Sequence, residues 1–237
     1  MHYAIADIHG CRDELMMLLD RIRFSDSDTL YVLGDTIDRG PDPAGVLREL
    51  SLMPNAVLVL GNHEYMARTI LPQLLKPVEE ENIEQVLTQD FLRMLETWQR
   101  NGCDVTIRAF REMNEEDRSF YLEFLSDEFS LYETVSVEDR EFFLSHTLPR
   151  DPAVLRGKRG VTVEAFVFGR PDFEDSWEQE TRFLCGHTPT FLIKGAEKGK
   201  VFRKGNLIDI DCGCYAGMGL AAFCLETEQS TVVSKEG

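Results

Sequence analysis

Hydrophobic and polar positions alternate along the chain in a rhythm that predicts its first half directly. Residues 3–7 form a short apolar run ending in Asp7-Ile8-His9-Gly10. Residues 12–23 place Leu15, Leu18, Leu19 and Ile22 at helical spacing. A continuous apolar run at 29–33 ends in Gly34-Asp35, a helix with Leu47 and Leu50 inward follows at 43–52, and a third buried run at 56–60 ends in Gly61-Asn62-His63-Glu64. Three strands, each delivering a polar motif at its carboxyl end before a helix, predict a βαβαβ unit of an α/β fold, with parallel strands, right-handed crossovers and a site at the strand tips. Over 71–129 charge rises and helical spacing takes over (Ile83, Val86, Leu87, then Phe91, Leu92, Leu95, Trp98), which predicts a helical insertion or cap within one domain spanning 1–237. Glu79-Glu80-Glu81 within it reads as a solvated face. Strands resume at 131–137 and 141–145, and the basic stretch 150–160 reads as a loop. Short strands at 183–185, 201–203, 207–211 and 220–225 alternate with glycine-rich turns.

Composition narrows the function. The chain has 237 residues, 43% hydrophobic, with 25 basic and 42 acidic residues and a net charge of −17. A nucleic-acid partner held by phosphate contacts would need a basic face, and anionic membranes would repel this charge. No signal peptide or membrane span is expected, which predicts a cytoplasmic protein. The six cysteines, at 11, 103, 185, 212, 214 and 224, form no secreted-type framework and no paired zinc knuckle. They read as reduced core thiols: Cys11 packing a helix, and Cys212 and Cys214 on one face of a strand.

Chemistry is concentrated in few places. Of five histidines, all but His2 lie in short motifs: Asp7-x-His9-Gly10, Gly61-Asn62-His63-Glu64, Ser145-His146-Thr147 and Gly186-His187-Thr188-Pro189. A fifth motif, Gly34-Asp35-x-x-Asp38-Arg39-Gly40, adds two carboxylates and an arginine. Asp, His and Asn donors together suit two divalent ions such as Mn²⁺, Fe²⁺ or Zn²⁺ and do not suggest a thiolate site. Two such ions can clamp the attacking and leaving oxygens of an in-line phosphoryl displacement. Arginine offers a planar fork for phosphate, and a histidine outside the ligand set can protonate the leaving oxygen.

These five blocks, in this order, resemble the calcineurin-like metallophosphoesterases, and more closely the short bacterial and phage form of the phosphoprotein phosphatases. The resemblance implies a four-layer α/β/β/α sandwich. It implies that Asp7, His9 and Asp35 hold one metal, and that Asp35, Asn62, His146 and His187 hold the other, with Asp35 bridging. It further implies that His63 is the general acid oriented by Asp38, and that Arg39, Asn62 and a second arginine bind the substrate phosphate. Arg170, in Phe168-Gly169-Arg170-Pro171, matches the family's aromatic-x-Arg element, with Arg150, Arg156 and Arg159 as alternatives. Thr147-Leu148 departs from the family's usual Ala-Gly after the metal histidine. The implied cofactor is a pair of divalent ions, Mn²⁺ first, with Fe or Zn as alternatives. The implied activity is phosphomonoester hydrolysis by metal-bound hydroxide, with a phosphoserine or phosphothreonine protein or a small phosphoester as substrate. The alternative is hydrolysis of dinucleoside polyphosphates such as diadenosine tetraphosphate on the same site.

Overall fold

A computed structural model describes residues 1–75, 87–150, 162–174 and 180–234. Strands β1 (His2–Ile5), β2 (Thr29–Leu33) and β3 (Ala56–Val59) are parallel neighbours, with Ile5 opposite Val32 and Val32 opposite Leu58. Helices α1 (Arg12–Ile22) and α2 (Pro43–Ser51) make the crossovers, as the apolar spacing predicts. Pro43 opens α2, where its missing N–H costs nothing, and the Asp42 carboxylate caps it by accepting from the Gly45 amide at 2.8 Å.

The first sheet has six strands, in the order β11 (Gln229–Val233), β10 (Leu220–Cys224), β1, β2, β3 and β4 (Phe129–Ser130). β4 runs parallel to β3, whereas β10 and β11 add antiparallel pairs. The second sheet contains β5 (Tyr132–Val137), β6 (Arg140–Ser145), β7 (Arg182–Cys185), β8 (Phe202–Lys204) and β9 (Leu207–Asp209), in the order β5-β6-β7-β9-β8. Side chains of successive strand residues point to opposite faces. Ile5, Leu30, Val32 and Leu58 therefore enter the core beneath the helices. Their neighbours Ala4, Tyr31, Leu33 and Val59 meet Phe142, Leu144, Leu184 and Ile208 of the second sheet in a separate inter-sheet core. Two mixed sheets stacked face to face and flanked by helices are the expected sandwich.

Between β3 and β4 lie α3 (Asn62–Leu74), α4 (Gln89–Arg100), α5 (Asp104–Glu112) and α6 (Glu115–Asp127). Trp98, Phe110, Tyr121 and Leu125 from these helices join the same core as α1 and β2. Thr88 and Asn114 cap α4 and α6 by accepting from the amides of Phe91 and Asp117. The short helix α7 (Val163–Val167) lies over the outer face of the second sheet, where Phe166 meets Tyr132 and Phe143 with ring centroids 5.5 and 6.1 Å away. The acidic triplet Glu79–Glu81 and the candidates Arg156 and Arg159 lie outside the described residues.

One strand expectation is corrected. The strand read at 207–211 ends at Asp209, and a left-handed Gly213 (φ 82°) turns the chain into a 3₁₀ turn over Cys214–Ala216. Cys212 and Cys214 therefore do not share a strand face. No described helix is long and apolar enough to cross a membrane.

Candidate active site

The strand tips deliver the polar motifs to one place. Beyond β1 and β2 the loops stay paired: the amides of Asp7, His9 and Gly10 donate to the carbonyls of Gly34, Asp35 and Thr36 at 3.1, 2.8 and 2.8 Å. Six non-glycine residues of these motifs take left-handed backbone angles: Asp7 (φ 53°), His9 (46°), Asp35 (54°), Asp38 (70°), Arg39 (62°) and His187 (71°). Such angles are uncommon outside glycine and gather where a loop must aim side chains inward. Two glycines make room for carboxylates: a Cβ on Gly61 would collide with the Asp35 side chain, and one on Gly186 with that of Asp7.

Asp35 stands at the centre, 2% exposed. Its Oδ2 lies 3.7 Å from Nε2 of both His9 and His63, and its Oδ1 lies 3.5 Å from Nε2 of His146. On one side, Asp7 Oδ1 is 4.0 Å from His9 Nε2. On the other, His146 Nε2 is 3.0 Å from both Asn62 Oδ1 and His187 Nδ1. The structure thus brings all six expected ligands together, split into two groups that share Asp35. His9 and His146 each place Nδ1 against a backbone carbonyl, Ile37 at 3.0 Å and Leu33 at 2.8 Å. That contact fixes the tautomer with the proton on Nδ1 and leaves the Nε2 lone pair facing the centre, as metal-ligating histidines are held.

The electrostatics fit a cationic occupant. Burial and the nearby carboxylates of Asp211 and Asp35 push Asp7 well above the usual carboxylate range. Burial and the His63 charge push His9 well below the usual imidazole value. Burial would raise Asp35 too, but His146, His63 and His9 hold it well below its ordinary value. Arg39 extends its guanidinium to Nε2 of His9 at 2.9 Å and of His63 at 3.1 Å, so a cation already sits against a lone pair that the expected ligand presents. Buried carboxylates and imidazole nitrogens around one shared aspartate fit divalent cations by donor type and number.

His63 is fully buried, and its Nδ1 lies 2.5 Å from Asp38 Oδ2. Burial disfavours its charge, but Asp35 and the Asp38 hydrogen bond outweigh burial and raise its pKa. Asp38 is itself locked from the helices after β3. Trp98 Nε1 donates to Oδ2 at 2.6 Å, and the Thr106 hydroxyl accepts from the Asp38 amide at 3.0 Å while donating to Oδ1. The Arg39 amide donates to the Gly102 carbonyl at 3.1 Å, and its side chain reaches Asn101. The helical segment therefore braces the Asp38–Arg39 loop. Sequence spacing marked Trp98 only as an apolar position, and nothing marked Thr106.

Glu64 performs a similar task from α3. Its buried carboxylate accepts from the amides of Asp35, Thr36 and Gly61 at 2.9, 2.7 and 3.1 Å and from the Thr36 hydroxyl at 2.9 Å. Tyr215, in a turn that carried no sequence signal, packs its ring edge-on to His9 at 5.3 Å and lies 4.6 Å from the Arg39 guanidinium. Asp209 and Asp211, also unmarked, shape that turn: Asp211 accepts from the Gly213 amide at 2.9 Å, and burial raises its carboxyl to about 7. Arg170 reaches Thr188 Oγ1 at 3.3 Å, next to His187, and lines a cavity of about 360 Å³ with Arg150, Phe173, Ile193 and Lys194. Thr147, where the family's usual Ala-Gly is replaced, donates its hydroxyl to the Gly169 carbonyl at 2.9 Å and so ties the His146 loop to the Arg170 loop.

The profile of the calcineurin-like phosphoesterases matches residues 3–210. The chain belongs to this family. Among curated relatives of this phosphoesterase, the symmetrical bis(5'-nucleosyl)-tetraphosphatase of Wigglesworthia glossinidia brevipalpis is 40% identical over 101 residues, covering 42% of this chain and 37% of the relative. The chain thus matches only about a third of that relative's length. Among solved structures, one provisionally assigned as a diadenosine tetraphosphatase superposes with a TM-score of 0.64 at 20% identity, over 98% of this chain and 92% of the other. A protein serine/threonine phosphatase from Saccharomyces cerevisiae superposes with a TM-score of 0.52 at 13% identity, over 98% and 78%. At these identities both structures establish the phosphoesterase fold alone.

Proposed function

We propose that this phosphoesterase hydrolyses dinucleoside polyphosphates, splitting the tetraphosphate bridge symmetrically into two nucleoside diphosphates. One observation carries this reading: the stretch of 40% identity to a symmetrical bis(5'-nucleosyl)-tetraphosphatase. The cleft beside Thr188 supports it, because Arg150 and Arg170 offer guanidinium groups for an extended phosphate chain and Phe173 offers a ring face, while Lys194 is paired with Glu174.

Asp7, His9 and Asp35 would hold one divalent ion, and Asp35, Asn62, His146 and His187 the second. When bound, such ions polarise a phosphoryl oxygen and lower the pKa of water, supplying a nucleophile near neutral pH. The chain's own groups do the rest. Arg39 and Arg170 orient the phosphates with planar forks. His63, held at Nδ1 by Asp38, presents Nε2 to the leaving oxygen and delivers a proton there. Asp35, Asp38 and Glu64 keep these groups in register through buried hydrogen bonds.

A protein serine/threonine phosphatase is the second reading, favoured by Asp38 and Glu64 in their motifs. In the family the motifs resemble, the dinucleotide-hydrolysing branch tends to lack a carboxylate at the position of Asp38 and to carry Asp at that of Glu64, and here both residues make specific contacts at the site. The two readings differ in leaving group. A nucleoside diphosphate leaves readily, whereas a serine alkoxide needs its proton at once, so His63 matters more in the second. With Mn²⁺ present, kcat/KM should be compared for diadenosine tetraphosphate, phosphoserine, phosphothreonine and phosphotyrosine peptides, and a cyclic nucleotide. Preference for the dinucleotide, with nucleoside diphosphate as sole product, is the expected result. Preference for the phosphopeptides would overturn it in favour of the second reading.

A further inference from the structure

Near the Asp35 centre, two residues along the chain from His9, begins a second group of side chains with metal-ligand donor atoms that the phosphoesterase reading does not use. Cys11 sits at the N-terminal end of α1, Glu14 lies in its first turn, and Cys214 begins the 3₁₀ turn some two hundred residues later. All three are buried, at 3, 3 and 4% exposure. Two Sγ atoms and a carboxylate oxygen lie within 4.8 Å of one another. Tetrahedral bonds of about 2.3 Å to sulfur and about 2.0–2.2 Å to oxygen set such donors about 3.6–3.8 Å apart, so the three side chains need only close in slightly around one cation. The Cys11 thiol donates to the His9 carbonyl oxygen at 3.6 Å, which sets a backbone oxygen beside one of the two sulfurs.

We propose that Cys11, Glu14 and Cys214 form a third cation site, built for a thiolate-accepting ion such as Zn²⁺ and separate from the donors around Asp35. The donor types decide the class of ion: two thiols and a carboxylate suit a borderline-soft, tetrahedral cation, whereas imidazole, amide and carboxylate oxygens surround Asp35. Binding would release the two thiol protons to solvent. Its consequence is mechanical. The ion would fasten the start of α1 to the turn carrying Tyr215, whose ring rests on His9 and beside Arg39. The site would therefore stiffen one half of the centre without touching substrate.

Co²⁺ distinguishes this site from the Asp35 centre, because only thiolate ligands give an intense near-ultraviolet charge-transfer band. Full-length protein loaded with Co²⁺ should show that band, and added Zn²⁺ should remove it. Cys11→Ser and Cys214→Ser should each lower it by about half, and the double variant should abolish it while metal content falls from about three ions per chain to about two. No band in folded wild-type protein, or a band unchanged in both single variants, would overturn the proposal. If the variants do not fold, the wild-type protein still decides through alkylation followed by mass spectrometry. Zn²⁺ should slow modification of Cys11 and Cys214 relative to metal-free protein by tenfold or more, and equal rates would overturn the site.

Discussion

The two halves of the Asp35 centre are held in different ways. On the first-sheet side, Asp38 holds His63 and is itself gripped by Trp98 and Thr106 from later helices, Asn101 reaches Arg39, and Glu64, next to His63, ties down Asp35 and Thr36. On the second-sheet side, His146 and His187 are set largely by main chain: Leu33 carbonyl to His146 Nδ1, His146 carbonyl to the Gly186 amide, and the His187 amide to Asp7. On the proposed assignment, the side that carries the proton donor is buttressed by a chain of buried polar side chains, and the side that only holds an ion is built largely from the backbone. Proton transfer needs a particular charge state and orientation, which neighbouring side chains tune; ligation needs mainly a fixed position.

Substitution can break this contrast. The largest effect is expected at Asp35, which both halves share. Asp35→Ala should remove both ions and lower kcat/KM by at least about 10³-fold, measured together with metal content. Next, His63→Asn should keep the ions and lower kcat by about 10²–10⁴-fold, more for a phosphoserine peptide than for a dinucleotide. Trp98→Phe sharpens the comparison, because it deletes the indole N–H that holds Asp38 and keeps an aromatic ring there, at the cost of some buried volume. It should lower kcat by about 10-fold or more with KM and metal content nearly unchanged, and an unaltered pH–rate profile would show that the buttress is merely structural. Ser145→Ala, which removes a buried hydroxyl donating to the Thr147 carbonyl, should cost about 1 kcal/mol in urea unfolding and leave kcat within about twofold.

The smallest effect lies away from the centre, at the first sheet's far end. Burial would raise Glu226, but the His2 amide and ring hold it down to about 2, below its ordinary 4.5. A depressed carboxyl stabilises the fold above its unfolded value and loses that contribution as the pH falls. Glu226→Gln should therefore lower stability at neutral pH, with the difference from wild type shrinking between about pH 4.5 and pH 2 in denaturant titrations.

The same contrast explains what could be read from sequence. β1, β2 and β3 were legible because each is an apolar run between a helix and a motif, and their tips carry Asp7, His9, Asp35, Asn62 and His63. Strand β11, reading Gln-Ser-Thr-Val-Val at a sheet edge, and the two-residue β4 have no such signature. His146 and His187 could be found only by motif. Trp98 and Thr106 look in sequence like ordinary positions of amphipathic helices; their task depends on α4 and α5 packing against the Asp38 loop. Cys11 and Cys214 lie at opposite ends of the chain, so local cysteine spacing could not pair them.

Anomalous diffraction from crystals grown with Mn²⁺ tests the account most directly. Two peaks are expected on either side of Asp35, one against Asp7 and His9 and the other against Asn62, His146 and His187, with His63 ligating neither. A single peak, or His63 bound to an ion, would contradict Asp35 as the shared ligand and His63 as the proton donor.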